Sequence, residues 1–211
     1  MEILAMLLGG VSRVKMMRLF LFNNTGVFTL TDLNERLKIK PAEAKKELAQ
    51  LEKMGLIKGK SVVKVIEKKK GKKIVSLKKK EIGFSLSDEF AYLSSLKNLL
   101  TGTQLYTNEE IVKRLANVGK LKMIIISGVF TQDFSSRVDL FVVGDHLKKN
   151  VLEKVIKTME AEIGRELSYT YFETADFLYR TDVCDKLVYD VLDFPHETIL
   201  DKLGEQKFRS K

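Results

Sequence analysis

The sequence predicts an α+β chain of two modules: three short helices with a β-hairpin, then an α/β domain with a mixed sheet. Three observations predict it. Apolar residues recur at helical spacing between residues 13 and 54 and switch to an extended pattern from 56 to 77. From residue 107 onward β-branched runs alternate with helical patterns, the mark of a layered α/β domain. Basic residues crowd into the first part of the chain. A length of 211 residues suits two modules of about 100 residues each, and the sequence places them at 1–83 and 84–211.

Composition narrows the classes. Hydrophobic residues make up 45% and charged ones 31%, with two prolines and thirteen glycines, a balance that supports folded cores and argues against a disordered or fibrous chain. The one cysteine, Cys184, cannot form an internal disulfide, and no Cys/His group has zinc-ligand spacing; a cytoplasmic protein with no metal and no cofactor is expected. The apolar start from Ile3 to Val11 carries Glu2, lacks a basic leader and runs into a helical pattern, unlike a signal peptide. No run approaches about 18 apolar residues, so no membrane span is expected. The net charge of +9 divides unevenly: residues 1–83 hold 20 Lys/Arg against 8 Asp/Glu, whereas 84–211 hold 17 against 20. That asymmetry points to a polyanion partner for the first module alone, most simply nucleic acid.

Element by element, Val14, Met17 and Leu21 with their neighbours predict a helix from Arg13 to Asn23. Thr29 and Asp32 have capping-box spacing and open a second helix through Leu30, Leu33 and Leu37. Pro41 suits the first position of a third, which buries Ala44, Leu48 and Leu51 and stops at Met54 and Gly55. Two β-branched runs then flank Lys68-Lys69-Lys70-Gly71-Lys72-Lys73, which reads as a hairpin with a basic tip. At about 100° per residue, Ala42, Lys46, Ala49 and Lys53 face away from the buried side of the third helix, with Lys45 and Gln50 flanking them. Such a stripe combines small residues for close approach, cations for phosphates, and a Lys and a Gln long enough to reach base edges. The alternative is a solvated lysine face on a protein-interaction module.

The stretch LKIKPAEAKKELAQLEKMGLIKGK resembles the third helix and the start of the wing in many bacterial winged-helix regulators, and the resemblance covers about residues 10–80. It implies that Lys45, Lys46, Ala49, Gln50 and Lys53 meet a DNA groove. It further implies that Lys68, Lys69, Lys70, Lys72 and Lys73 grip phosphates, which set affinity rather than sequence preference. A homodimer is expected by the same analogy.

In the second module a linker is expected at Glu81 to Ser87, then a helix from Asp88 to Leu100 with Ser85 and Asp88 at capping-box spacing. Thr107 and Glu110 repeat that signal before a helix through Ile111, Leu115 and Val118. Strands are expected at Met123–Ile126, Val138–Val143 and Leu167–Phe172, with a helix from Asn150 to Ile163 between the last two and a final helix from Asp176 to Val191. Tyr169, Tyr171 and Phe172 alternate as strand residues should, Cys184 reads as a small core residue, and His146 and His196 read as structural or surface groups.

The segments IIISGVFTQDFSSRVDLFVVGD and GRELSYTYF are similar to a minimal nucleotidyltransferase domain of the DNA polymerase beta superfamily, over about residues 88–204. In that family a Gly-Ser pair holds nucleotide phosphates, and three acids hold two divalent metals that steady the attacking and leaving oxygens. Gly128 matches the glycine and Asp139 the second acid. Val129 stands in place of the serine, Arg137 in place of the first acid, and the third acid falls at Ser168. With Arg137 and Asp139 on one strand face, an ion pair between them is expected instead of a metal. The resemblance therefore implies a catalytically degenerate domain, with no catalytic residues. Its role is either a dimerisation or partner-binding scaffold, or a pocket of Gly128, Arg137 and Asp139 for a nucleotide or phosphate ligand. The expected function is that of a DNA-binding transcriptional regulator. The competing readings are an active nucleotidyltransferase whose winged helix delivers substrate, and a protein-interaction adaptor.

Overall fold

A computed structural model describes the backbone of residues 2–70, 73–102, 104–133, 135–204 and 207–208, and the side chains at those positions apart from Glu2 and residues 64–78. Helices and two sheets make an α+β architecture. The chain divides into two units, residues 1–101 with 161–165, and residues 102–160 with 166–211.

The first unit opens with α1 (Glu2–Leu8) and α2 (Val11–Phe22). The latter is buried along most of its length through Val14, Met16, Met17, Leu19, Phe20 and Leu21. Arg18 lies in the same helix at 2% exposure; its Nε donates to the Leu100 carbonyl at 3.0 Å, which satisfies a guanidinium that burial would otherwise penalise. Helix α3 (Leu30–Leu37) starts at the expected capping box: the Thr29 amide donates to Asp32 Oδ2 at 2.9 Å and the Asp32 amide to Thr29 Oγ1 at 3.4 Å. Thr29→Ala is expected to cost about 1 kcal/mol and Thr29→Ser much less, measured by urea unfolding. Helix α4 (Pro41–Lys53) begins on its proline and ends before Gly55, whose φ of +80° turns the chain back.

The hairpin consists of β2 (Ile57–Lys70) and β3 (Lys73–Leu86), antiparallel from Ile57↔Leu86 to Lys70↔Lys73. A two-residue strand β1 (Phe28–Thr29) adds to the far side of β3 by pairing Phe28 with Phe84, giving the order β1-β3-β2. The expected linker at 81–87 is therefore strand. Ser85 pairs with Lys58 rather than capping a helix, and the Ser87 amide donates to the Leu56 carbonyl at 2.8 Å. The next helix, α5, is correspondingly shorter than expected (Leu93–Thr101), and its fully buried Leu100 joins the core of Phe20, Leu33 and Leu51. For this reason the division falls at 101/102, where the sequence placed it at 83/84.

The second unit runs α6 (Asn108–Leu115), β4 (Lys120–Ile126), β5 (Leu140–Asp145), α7 (Lys149–Ile163), β6 (Tyr169–Glu173), α8 (Thr174–Asp182), α9 (Lys186–Asp193) and β7 (Glu197–Asp201); residues 161–163 at the end of α7 group with the first unit. Its sheet has the order β6-β5-β4-β7, with β5 and β6 parallel and the other pairs antiparallel, so it is mixed, as expected. One face packs Met123, Ile125, Phe141 and Val143 against Phe177, Val188 and Val191 of α8 and α9. Ile124, Ile126, Leu140 and Val142 alternate with them and are buried on the other. Thr107 and Glu110 form the expected capping box on α6. The single last helix expected from 176 to 191 is two helices, broken at Cys184, whose φ of +55° turns it outward, exposed rather than in the core. Asp185 then caps α9, accepting from the Leu187 amide at 2.9 Å. Strand β7 was not anticipated. Among the described residues no helix is long and apolar enough to cross a membrane.

Candidate functional site

Helix α4 carries the first candidate site. Ala44, Leu48 and Leu51 turn inward, so Lys45, Lys46, Ala49 and Lys53 are exposed and Gln50 is half-buried, as the helical wheel requires. Glu47 is buried too, which the wheel did not assign: Arg13 Nε of α2 donates to its Oε2 at 2.6 Å, a charge-assisted bond that ties α4 to α2. Among the described residues no carboxylate holds Lys45, Lys46 or Lys53 in an ion pair. Their ammonium groups stand free in solvent.

Beside this stripe a groove of about 530 Å³ separates α4 from β3, with Lys45, Ala49 and Glu52 on one wall and Lys80, Ile82 and Phe84 on the other. Its β3 wall was missed in the sequence, where 81–87 read as a linker. Side chains directly opposite in an antiparallel pair share a face, as do residues two apart, so Val63, opposite Lys80, joins Lys80 and Ile82 on one side of the hairpin. Val63 and Ile82 are 56% and 65% exposed. The alternation of Val63, Lys80 and Ile82 with their neighbours was the available signal. Glu81 offsets part of the local charge through an ion pair with Lys79 at 2.9 Å.

Of the expected hairpin-tip contacts, Lys72 lies outside the described residues, as do the side chains of Lys68, Lys69, Lys70 and Lys73; the backbone places these last four at the closing end of the β2–β3 ladder.

The pocket expected in the second unit has a different construction. Asp139 is 5% exposed and sits just ahead of β5; its Oδ1 accepts from the Val129 amide at 2.8 Å and its Oδ2 from the Ser168 amide at 2.9 Å. The carboxylate thus clasps the turn after β4 to the segment leading into β6. Gly128 bends the chain beneath it with φ +57°, and a Cβ there would overlap Asp139 Oδ1. Val129 is fully buried, so no side chain at this position faces a ligand. Around the same turn the Ser127 hydroxyl donates to the Val138 carbonyl, and the Ser136 hydroxyl lies 3.0 Å from both Ser127 Oγ and the Val138 oxygen. Gly128 also bridges to Asp133, whose carboxyl is held below the usual carboxylate range by the Ser135 hydroxyl and amide.

The expected Arg137–Asp139 ion pair is not formed. Residues 137 and 139 both precede β5, so no strand pleat sets them on one face, and Arg137 pairs with Asp190 of α9 at 2.9 Å. The sequence held no signal for this partner, which lies 53 residues away. Gly128 and Asp139 are brought together and Arg137 is not. Glu173, at the end of β6, accepts from the His146 and Leu147 amides at 2.9 and 2.8 Å and so secures the turn after β5. The acids around this part of the sheet hold backbone amides, and among the described residues no three His, Cys, Asp or Glu side chains group as metal ligands would.

No family model matches the chain, and neither a curated protein nor a solved structure matches it.

Proposed function

We propose that the first unit is a winged-helix module that binds duplex DNA, and that the chain acts in transcriptional regulation. The observation that carries the reading is the unpaired cationic face of α4, set next to a hairpin whose sequence is dense in lysine. An exposed helix face with small residues at its centre and ammonium groups along it fits a major groove and its flanking phosphates. Helices α2, α3 and α4, with the short strand β1 between the first two and the hairpin directly after the third, ordered β1-β3-β2, support the winged-helix reading.

For the second unit we propose a nucleotidyltransferase-like scaffold without catalysis. Arg137 already pairs with Asp190, and both oxygens of Asp139 already accept backbone amides; a scaffold uses these contacts as they stand.

Fluorescence anisotropy with a labelled random duplex tests the DNA reading. The variant Lys45→Ala/Lys46→Ala/Lys53→Ala is expected to bind more weakly and to lower the slope of log affinity against log salt by about 2.7, from about 0.9 per lost phosphate contact. Lys148→Ala/Lys149→Ala, in the second unit, leaves the slope unchanged. Equal slopes for the triple variant and the wild type would reduce the α4 lysines to a solvated face.

A further inference from the structure

A cavity of about 500 Å³ opens in the second unit where β4 begins, at the end of that strand away from Gly128 and Asp139. Val112 of α6, Leu121 of β4 and Leu200 of β7 give it apolar walls, and Lys120, Lys122 and Lys202 border it with cations. Among the described residues no carboxylate lines it. A regular strand turns alternate residues to opposite faces, yet Lys120, Leu121 and Lys122 all border this cavity. The reason is a β-bulge: Leu121 pairs with Gly144 and Met123 with Val143, so Lys122 is an extra residue on β4 and its side chain is re-aimed. Lys202 is fixed from the β7 side, its Nζ donating to the Leu121 carbonyl at 3.2 Å. Asp145 stands 3.6 Å from the Lys122 ammonium, and Asp201 is turned to the Leu203 and Gly204 amides. Lys120 and Lys202 have no carboxylate partner among the described residues.

We infer that this cavity binds a small phosphomonoester with an apolar or planar body. Its volume is that of a small-molecule site. Three ammonium groups gathered on one cavity repel one another, and a bound anion relieves the repulsion. Asp145 offsets one of the three, which leaves two for the ligand; a phosphomonoester, at about −2 near neutral pH, matches them and a single carboxylate does not. The apolar walls then take the body that carries the phosphate. Charge around the cavity selects a small ligand over a polymer. Residues 84–211 hold 17 Lys/Arg against 20 Asp/Glu, so a long polyanion that gained at these lysines would meet an excess of acids beyond them. The assignment is independent of the DNA reading, since every residue in it belongs to the second unit.

Titration of the full chain with phenyl phosphate, followed by amide proton–nitrogen correlation NMR in a phosphate-free buffer, tests the inference. The amides of Gly119, Leu121 and Lys202 are expected to shift and saturate with a dissociation constant on the order of 1 mM, in keeping with so small a probe. Phenol, which lacks the charge, should not saturate, and inorganic phosphate, which lacks the body, should bind at least about fivefold more weakly. The variant Lys120→Met/Lys202→Met keeps the apolar stems and removes two charges; it should weaken phenyl phosphate by about tenfold or more while the amides of β5 and β6 keep their positions. Lys120→Arg/Lys202→Arg should stay within about threefold of wild type. Shifts that do not saturate by about 10 mM, shifts centred elsewhere, or a Met variant that binds as wild type does would each overturn the inference. Inorganic phosphate binding as tightly as phenyl phosphate would leave a site for bare anions and overturn it too, as would a Met variant that lost affinity for duplex DNA, which would make these lysines part of a nucleic-acid surface. The titrations contain no DNA, so a chain that bound phenyl phosphate here and ignored duplex would sink the DNA reading alone.

Discussion

Asp139→Ala is expected to destabilise the second unit by about 3–5 kcal/mol, because it removes two charge-assisted hydrogen bonds and strands the Val129 and Ser168 amides in a buried place. Asp139→Asn keeps one acceptor and sets an amide group against the other N–H, so its cost should be about half as large. Urea unfolding followed by tyrosine fluorescence gives both numbers. A metal-binding acid behaves in the opposite way, since removing one of several clustered carboxylates relieves repulsion and commonly leaves the apo fold as stable as before. A stable Asp139→Ala would therefore return this residue to the list of candidate ligands.

Gly128→Ala should cost about 3 kcal/mol or more, for two reasons that can be separated. At φ +57° an L-residue is strained, which accounts for about 1 kcal/mol. The remainder comes from the new methyl overlapping the Asp139 carboxylate, which cannot withdraw without breaking its two amide bonds. The two substitutions are therefore expected to be strongly non-additive. In an Asp139→Ala background the overlap is gone, and Gly128→Ala should cost only the strain. A double-mutant cycle that proved additive would mean that the glycine and the aspartate act separately, and that the clasp does not organise this turn.

The clasp bears on what a sequence can show about a site. Gly128 and Asp139 were paired in the sequence only through the nucleotidyltransferase resemblance, which was drawn from a β-branched run, a glycine, then a second run. Their chemistry was not legible, because it depends on which amides reach the carboxylate, and Ser168 lies 29 residues further along the chain. The same contrast holds elsewhere. The capping boxes at Thr29 and Thr107 and the proline start of α4 are contacts within four residues and were read correctly. The Arg13–Glu47 and Arg137–Asp190 pairs, the attachment of β1 to β3 and of β7 to β4 join distant residues and left no periodic trace. The break at Cys184 was hidden for another reason: apolar residues on both sides keep helical spacing, while a single left-handed residue redirects the chain.

In the first unit the exposed face of α4 followed from periodicity alone, since burying Ala44, Leu48 and Leu51 leaves the lysines no other direction. The β3 wall of the adjoining groove did not, because a hairpin extending through Leu86 can be distinguished from a hairpin with a linker only by its pairing. Lys80, Val63 and Ile82 thereby join α4 as residues that a duplex lying along this face would meet, the lysine at phosphate and the two apolar side chains against sugar.

The central claim, that the first unit binds duplex DNA through its cations, is tested most directly by the anisotropy of a labelled random duplex titrated with the wild-type chain at about 50 and about 200 mM salt. The account predicts binding at the lower salt and a loss of about a thousandfold in affinity at the higher, as several released counterions require. Failure to bind at the lower salt, or an affinity indifferent to salt, would contradict it.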